Sequence, residues 1–236
     1  MVEQRHKLII SMHIPKTGGT SLLKEIQDGA MGRFLLDYER PGAGTPFIRK
    51  KLRNAQLYMK VRFRQWQLLQ NYDVIHGHFR IRKYAFLYPK ADFITFIREP
   101  VALVLSSYYF FKFVASKNPA SVRTNPDIQL ISENRMGLLE FANRNRIKRI
   151  YEVLTAGLPL DRFAFIGITE RYPESVMILN KLYGTQIKVR HERKNSYSQY
   201  EHEYGPLLPE LHAINRDNGR IYEEAVRLFE MRMRTL

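Results

Sequence analysis

Short apolar runs alternate with longer amphipathic segments along the 236-residue chain. Runs rich in Ile, Val and Phe have the length of buried β-strands and lie at residues 7–13, 72–76, 92–97 and 162–167. Segments with helical spacing lie at residues 20–27, 46–70, 100–116, 134–156 and 173–183. Because strands that alternate with helices are typical of parallel sheets, the pattern predicts an α/β fold with a central parallel sheet flanked by helices.

Two stretches lack either period and are typical of surface loops. Residues 28–45 are glycine-rich and irregular, and residues 117–134 carry Pro119 and Pro126. From residue 188 the chain becomes polar and charged before a final helix predicted at 209–233. With no internal repeat visible, we expect a single domain over residues 1–236. Its core would cover about residues 7–183 and a C-terminal helical extension about 188–236.

The composition is that of a folded protein with a large positive charge. Hydrophobic residues make up 44% of the chain, which excludes disorder throughout. The chain has 38 Lys and Arg residues and 23 Asp and Glu residues, so its formal charge is +15. A positive charge of this size suggests an anionic partner or ligand. Cysteine is absent, which excludes disulfides, thiolate nucleophiles and thiolate metal sites.

We find no apolar stretch in this pattern that is long enough for the core of a signal peptide or for a membrane-spanning helix. The apolar run near the N-terminus, residues 8–12, is too short for the core of a signal peptide. The most apolar stretch, residues 101–115, is shorter than the roughly 20 residues of a spanning helix. We therefore expect no membrane span and a cytoplasmic location.

The first strand runs into the string Ile14-Pro-Lys-Thr-Gly-Gly-Thr-Ser21 and then into a helix. A strand, a pair of glycines and a helix N-terminus gather backbone N–H groups and the positive end of the helix dipole around one point, which favours an anion. The order is not that of the Walker motif, because Lys16 precedes the glycines. An ordinary tight turn followed by a helix cap would give the same pattern.

This loop resembles the 5′-phosphosulfate-binding loop of sulfotransferases that use 3′-phosphoadenosine 5′-phosphosulfate (PAPS). The resemblance is closest to the carbohydrate branch, which includes the heparan sulfate 2-O-sulfotransferase group and its bacterial relatives. It implies that Lys16 contacts the bridging and sulfonyl oxygens of the donor. It also implies a 5′-phosphate site formed by Lys16, Thr17, Gly18, Gly19, Thr20 and Ser21.

A second motif follows the strand at 92–97. Arg98 lies at the strand's carboxyl end, Pro100 opens the next helix, and Ser106 follows eight residues after the arginine. An arginine fork and a hydroxyl in this arrangement can grip one phosphate, although an arginine paired with a carboxylate would look the same. The string resembles the 3′-phosphate motif of the same family, which implies that Arg98 and Ser106 bind that phosphate. Family members often carry a second arginine where this chain has Leu103.

A looser match covers residues 165–173, which resemble a late strand and turn of the family with the pattern Gly-x-x-Glu, here Gly167 and Glu170. A strand end with Thr169 as a helix cap explains the same residues without any ligand. This stretch supports the fold more than the site.

Sulfonyl transfer to a hydroxyl requires a base, and histidine has the most suitable pKa. His76 and His78 flank Gly77 after the second strand, and Gly77 would allow a substrate to approach closely. The string resembles the His-Gly-His of the 2-O-sulfotransferase group, which implies that His78 is the base, with His76 as the second candidate or an orienting partner. His13 is expected to form a hydrogen bond at its strand end. We expect no metal.

The basic residues that follow the histidines are Arg80, Arg82 and Lys83. We expect them to line a groove for a hydroxyl acceptor, with an acidic glycan as one candidate. The sequence thus predicts a PAPS-dependent sulfotransferase that acts on a carbohydrate by in-line transfer, with PAP (the desulfonated donor) as product. The alternatives are a nucleotide-dependent phosphoryl transferase and a basic nucleic-acid-binding protein. Nucleic acid is not the expected partner, and the oligomeric state is open.

Overall fold

The structure is a computed structural model that describes residues 7–28, 31–38, 71–117, 122, 125–189 and 197–235. The helix predicted at 46–70 lies outside the described residues.

Five parallel strands form the sheet: β1 (Ile9–Met12), β2 (Phe34–Leu36), β3 (Val74–Gly77), β4 (Asp92–Ile97) and β5 (Phe165–Ile168). Their order is β2-β3-β1-β4-β5, with β1 in the centre. Four of them were predicted. The edge strand β2 lies within the glycine-rich stretch 28–45, which the sequence predicts as a loop; it has only three residues, and it pairs with β3, where Phe34 lies opposite Val74.

The helices of the described segments are α1 (Gly19–Asp28), α2 (Arg82–Ala85), α3 (Pro100–Lys117), α4 (Pro126–Ser132), α5 (Leu138–Ala142), α6 (Asn145–Lys148), α7 (Ile150–Thr155), α8 (Tyr172–Tyr183), α9 (Glu201–Tyr204), α10 (Leu208–Ile214) and α11 (Arg216–Arg234). Short 3₁₀ turns lie at Leu160–Arg162, Thr169–Arg171, Ser198–Tyr200 and Gly205–Leu207. The helices predicted at 20–27, 100–116 and 173–183 are confirmed to within one residue at each end. None of the helices in these segments is both long and apolar enough to cross a bilayer.

The single helix predicted at 134–156 is wrong, because the structure breaks it into α5, α6 and α7. Arg144 between α5 and α6 has an extended ψ of 129°, and its Nη2 lies 3.0 Å from an oxygen of the buried Asp127. Asp127 is in α4, a helix within the stretch predicted as a loop, which Asn125 caps through a hydrogen bond to the Asp127 N–H. A buried carboxylate that needs a cation therefore overrides the local helical period.

The final predicted helix, at 209–233, is interrupted at Asn215. The Asn215 side-chain amide donates to the Leu211 carbonyl, 2.9 Å away, and so competes with the helical backbone bonds. The chain therefore forms α10 and α11 instead of one continuous helix.

Both faces of the sheet are covered. Successive residues of a strand point to opposite faces, yet β1, β3 and β5 are buried at every position. Such strands are typical of a parallel sheet with helices on both sides, which confirms the predicted α/β class. A second apolar cluster, which includes Leu105 and Phe141, packs α3 against α5 and α10.

Candidate functional site

The connections that follow the adjacent strands β1 and β4 run from the carboxyl ends of these strands to opposite sides of the sheet. The two strands pair directly, with Ile9 opposite Asp92. From β1 the chain passes towards β2 and β3 on one side, and from β4 it passes to β5 on the other. In open α/β sheets, ligands bind in the crevice at such a switch point. The loop that contains Lys16 and the residue Arg98 lie on its two sides.

The loop between β1 and α1 has a constrained backbone. Lys16 has a φ of 69° and Gly18 a φ of 83°, both in the left-handed region. This conformation is disfavoured for lysine, and such backbones are concentrated at functional sites. The Thr17 hydroxyl is buried and donates to the Ile14 carbonyl at 2.8 Å. In this structure the hydroxyl therefore bonds within the loop, and the place of Thr17 in the 5′-phosphate site stays a prediction. The side chains of Thr20 and Ser21 lie outside the part that the structure describes.

Arg98 contacts the loop from the neighbouring strand. Its Nη1 donates to the Lys16 carbonyl oxygen at 3.2 Å. Its guanidinium lies over the Tyr197 ring, 5.6 Å from the centroid, and its Nε is 3.8 Å from Glu170. The structure thus brings together two motifs that are 82 residues apart in the sequence.

The main chain of Arg98 is also held in place. The Tyr151 hydroxyl accepts from the Arg98 N–H at 3.0 Å and donates to the Arg98 carbonyl. Glu99 caps α3, because its side chain accepts from the N–H groups of Val101 and Ala102. An arginine with both its backbone and its side chain held is well suited to bind an anion with little further ordering.

One face of α3 lies over the loop. The Lys16 ammonium is 3.9 Å from the centre of the Phe110 ring. Ser106 is one helical turn before Phe110 and therefore on the same face. Its side chain is buried, with 5% of its surface exposed. Ser106 therefore lies on the helix face whose Phe110 contacts Lys16, and its binding of a 3′-phosphate stays a prediction.

Three histidines meet at the carboxyl ends of β1 and β3. His76 lies fully buried in β3, where its Nδ1 is 2.8 Å from the Ser11 hydroxyl. His78 is partly exposed, and its Nε2 is 3.0 Å from Nδ1 of His13. Tyr38, which follows β2, packs its ring against His78 with the centroids 4.9 Å apart.

Burial keeps these imidazoles neutral. Burial first, and the neighbouring His78 second, lower the pKa of His13 to about 3 and that of His76 to about 4. Burial also lowers the pKa of His78, which is the most exposed of the three. His76 has no access for an acceptor, so its assignment as the second candidate base lacks support. His78 combines a neutral ring with access from outside.

Gly77 has a different role from the one expected. A Cβ atom at this position would lie 1.9 Å from the Asp37 carbonyl oxygen. The glycine therefore allows the close approach of the β2 strand end, where the Asp37 N–H donates to the His76 carbonyl at 2.8 Å. The backbone of Asp37 therefore occupies the space beside Gly77 that a substrate would need.

The three predicted acceptor-groove cations differ in their surroundings. Arg80 and Arg82 are exposed, whereas Lys83 is largely buried and forms an ion pair with Asp37. The Tyr84 hydroxyl donates to the same carboxylate at 2.7 Å. Lys83 therefore has a partner within the fold, whereas Arg80 and Arg82 are exposed to an acceptor; the groove formed by the three stays a prediction.

Tyr151, Tyr197 and Tyr38 contact the candidate residues but were not singled out from the sequence. Each acts across the tertiary structure, and a lone tyrosine carries no pattern that distinguishes it from a core residue. Among the residues that the structure describes, no group of three or more His, Asp and Glu side chains is arranged to hold a metal ion.

A cavity of about 890 Å³ lies at the opposite end of the strands, where their amino ends meet. Asp73 and Asp92, at the amino ends of β3 and β4, line it, and they pair with Arg33 and Lys7. It shares no residue with the loop, with Arg98 or with the histidines.

No protein-family model matches the chain, and no curated protein matches it. Among solved structures, the crystal structure of a sulfotransferase from Alicyclobacillus acidocaldarius is similar to this chain, with a TM-score of 0.40 and 15% sequence identity. The similarity covers 89% of this chain and 96% of the other.

Proposed function

We propose that the protein is a sulfotransferase that moves a sulfonyl group from PAPS to a hydroxyl of a carbohydrate. The observation that carries the proposal is the hydrogen bond from Arg98 to the Lys16 carbonyl, because it brings the two PAPS-like motifs to one switch point. The three histidines at the neighbouring strand end supply a candidate base beside them.

The residues fit a donor with two separate phosphate-bearing positions. The strained loop at Lys16 and Gly18, which leads into the N-terminus of α1, suits the 5′-phosphosulfate. Arg98 and the Ser106 face of α3 suit a second phosphate, because a guanidinium offers a planar pair of donors to phosphate oxygens. When bound, PAPS would supply an activated sulfonyl group on a phosphate leaving group.

The chain itself would supply charge and a base. The Lys16 ammonium would stabilise the negative charge that develops on the bridging oxygen as its bond to sulfur breaks. His78 would take the proton of the acceptor hydroxyl as the new oxygen–sulfur bond forms. Because burial lowers the pKa of His78, its imidazole is unprotonated and ready to accept a proton at neutral pH.

The proposal of a carbohydrate acceptor is supported by the positive charge near His78. Arg80 and Arg82 are exposed two and four residues after His78, so an acceptor at the base would meet positive charge. The net charge of +15 suits an acidic glycan in particular.

The test is whether the protein selects the 3′-phosphate of the donor. Calorimetric titration with PAP and with adenosine 5′-phosphate compares ligands that differ at that position alone. A sulfotransferase binds PAP more tightly, whereas a protein that binds both equally or neither contradicts the proposal.

A further inference from the structure

We propose that His13 is a positioning residue for His78. Nδ1 of His13 accepts a hydrogen bond from the Nε2–H group of His78, which leaves Nδ1 of His78 as the basic atom. The inference deepens the proposed function and rests on it for the reaction that the base serves. The hydrogen bond and its direction concern the free protein and are testable without any substrate.

The two rings are placed by the sheet and not by loose side chains. The N–H of His13 donates to the Gly77 carbonyl at 2.8 Å, which continues the pairing of β1 and β3. This backbone bond brings Nδ1 of His13 to 3.0 Å from Nε2 of His78, with the ring centroids 4.4 Å apart at 69°. The distances of 2.8 Å and 3.0 Å are those of ordinary hydrogen bonds between uncharged groups.

The surroundings keep His13 neutral. Its ring stacks on His76, with centroids 5.5 Å apart, and meets the edge of Tyr38 at 6.3 Å. Among the described residues, the titratable groups in ring contact with His13 are His76 from β3, Tyr38 from the end of β2 and His78 itself, while β1 contributes Ser11, which contacts His76. Burial disfavours an imidazolium at His13, so a proton captured by the pair stays on the more exposed His78.

Two neutral imidazoles can share one proton in two ways. If His13 donated its Nδ1–H, the single proton of neutral His78 would sit on its own Nδ1, and the exposed ring would offer no basic nitrogen. If His78 donates its Nε2–H, its Nδ1 is unprotonated and can take the proton of an acceptor hydroxyl. After that transfer the His78 imidazolium still donates to His13, so the bond persists and strengthens with the charge.

The direct test is the tautomer of each ring in the unmodified protein. Two-dimensional long-range ¹H–¹⁵N NMR of the ¹⁵N-histidine-labelled chain at pH 7.5 distinguishes Nδ1–H from Nε2–H. We expect both His13 and His78 to carry the proton on Nε2. A His78 protonated on Nδ1, or a His13 protonated on Nδ1, would overturn the inference.

Two polar substitutions of His13 form a matched pair. In His13→Asn the amide oxygen is bonded to Cγ, as Nδ1 is, so an acceptor stays at the same place. In His13→Gln the polar atoms lie one carbon farther out. We expect His78 to keep its Nε2–H tautomer in the Asn variant and to become a mixture of tautomers in the Gln variant. Identical spectra for the two variants would contradict the positioning role.

Steady-state kinetics of the same two variants distinguish the orientation of the His78 base from the binding of the donor PAPS. With PAPS as donor and water or an added polysaccharide as acceptor, we expect kcat to fall roughly tenfold or more in His13→Gln, less in His13→Asn, and the KM for PAPS to stay unchanged in both. An equal loss in the two variants would also count against the inference. A failure of the proposed function is distinguishable, because it would appear as a lack of selectivity for PAP while the tautomers remain as stated.

Discussion

The guanidinium of Arg98 donates a hydrogen bond to the main-chain carbonyl of Lys16, with 3.2 Å between Nη1 and the oxygen. A residue at the end of β4 is thereby fixed to the loop that follows β1, across the switch point of the sheet. One nucleotide with phosphates at its 3′ and 5′ positions would touch both partners of this bond. Substitutions at either residue should consequently affect the binding of the same ligand.

Replacement of Arg98 should weaken PAP binding specifically. A charge-assisted bond to phosphate contributes about 1.5–3 kcal/mol, so Arg98→Ala should raise the Kd for PAP by roughly 10- to 150-fold. The Kd for adenosine 5′-phosphate should change much less. Arg98→Lys keeps the charge but loses the fork, and we expect an intermediate Kd. Arg227→Ala, which removes an exposed charge from α11, is the control for net charge alone. Tight PAP binding by Arg98→Ala would refute its role.

Replacement of Lys16 should affect transfer more than binding. Its ammonium is expected to act on charge that develops only as the sulfur–oxygen bond breaks, so Lys16→Ala should lower the turnover of PAPS to PAP by roughly 10²- to 10³-fold. The Kd for PAP should rise less than tenfold. Lys24→Ala, an exposed lysine on α1, serves as the control. Turnover in Lys16→Ala that matches this control would rule out the catalytic role.

The buried histidines should make the folded state less stable in acid. In the folded protein the pKa of His76 is about 4 and that of His13 about 3, below the value of about 6.5 expected after unfolding. The unfolded chain therefore binds more protons below pH 6.5. The free energy of unfolding should be highest above that pH and fall as the pH decreases towards 4, by up to ~1.4 kcal/mol per pH unit for each histidine.

Urea unfolding at a series of pH values between 7.5 and 4.5 measures this effect. His76→Asn keeps a hydrogen-bonding atom at the position of Nδ1, next to Ser11, but cannot titrate. The dependence of its unfolding free energy on pH should be shallower than in the wild type. Parallel curves for the two proteins would show that His76 is not held neutral by the fold.

Gly77 should be intolerant of a side chain. In Gly77→Ala the new Cβ would clash with the Asp37 carbonyl, so the pairing of β2 with β3 must loosen, at a cost of about 1–3 kcal/mol. Thermal unfolding should show a decrease in Tm of several degrees. Gly219→Ala is the matched control, because Gly219 lies in α11, where the added Cβ would meet nothing within 4 Å beyond its chain neighbours and the helix's own backbone, and the change should stabilise the helix. An unchanged Tm for Gly77→Ala would mean that the strands adapt without cost.

The sequence was sufficient for the elements that have a strong local period and insufficient for those that depend on distant partners. Strand β4 and helix α3 follow from apolar runs and from Pro100 at the helix start. The break at Arg144 depends on an ion pair with Asp127, which lies 17 residues away, and no local pattern reports it. Tertiary contacts with charged or polar partners were thus the main source of error in the fold.

The candidate site shows the same division. The loop at Lys16 and the residue Arg98 were identified because each lies in a string of characteristic residue types after a strand. The position of His13 against His78 depends on the register of β1 and β3, which the sequence does not specify. The inward hydrogen bond of Thr17 and the ion pair of Lys83 with Asp37 likewise become visible only when the chain is folded.

The measurement that tests the central claim most directly is calorimetric titration of the wild-type protein with PAP and with adenosine 5′-phosphate. The two ligands share the adenosine and the 5′-phosphate, so a difference in affinity reports recognition of the 3′-phosphate. We expect PAP to bind at least about tenfold more tightly, because Arg98 is held at the switch point, where we propose that it binds that phosphate. Equal affinities, or no binding of PAP, would contradict it.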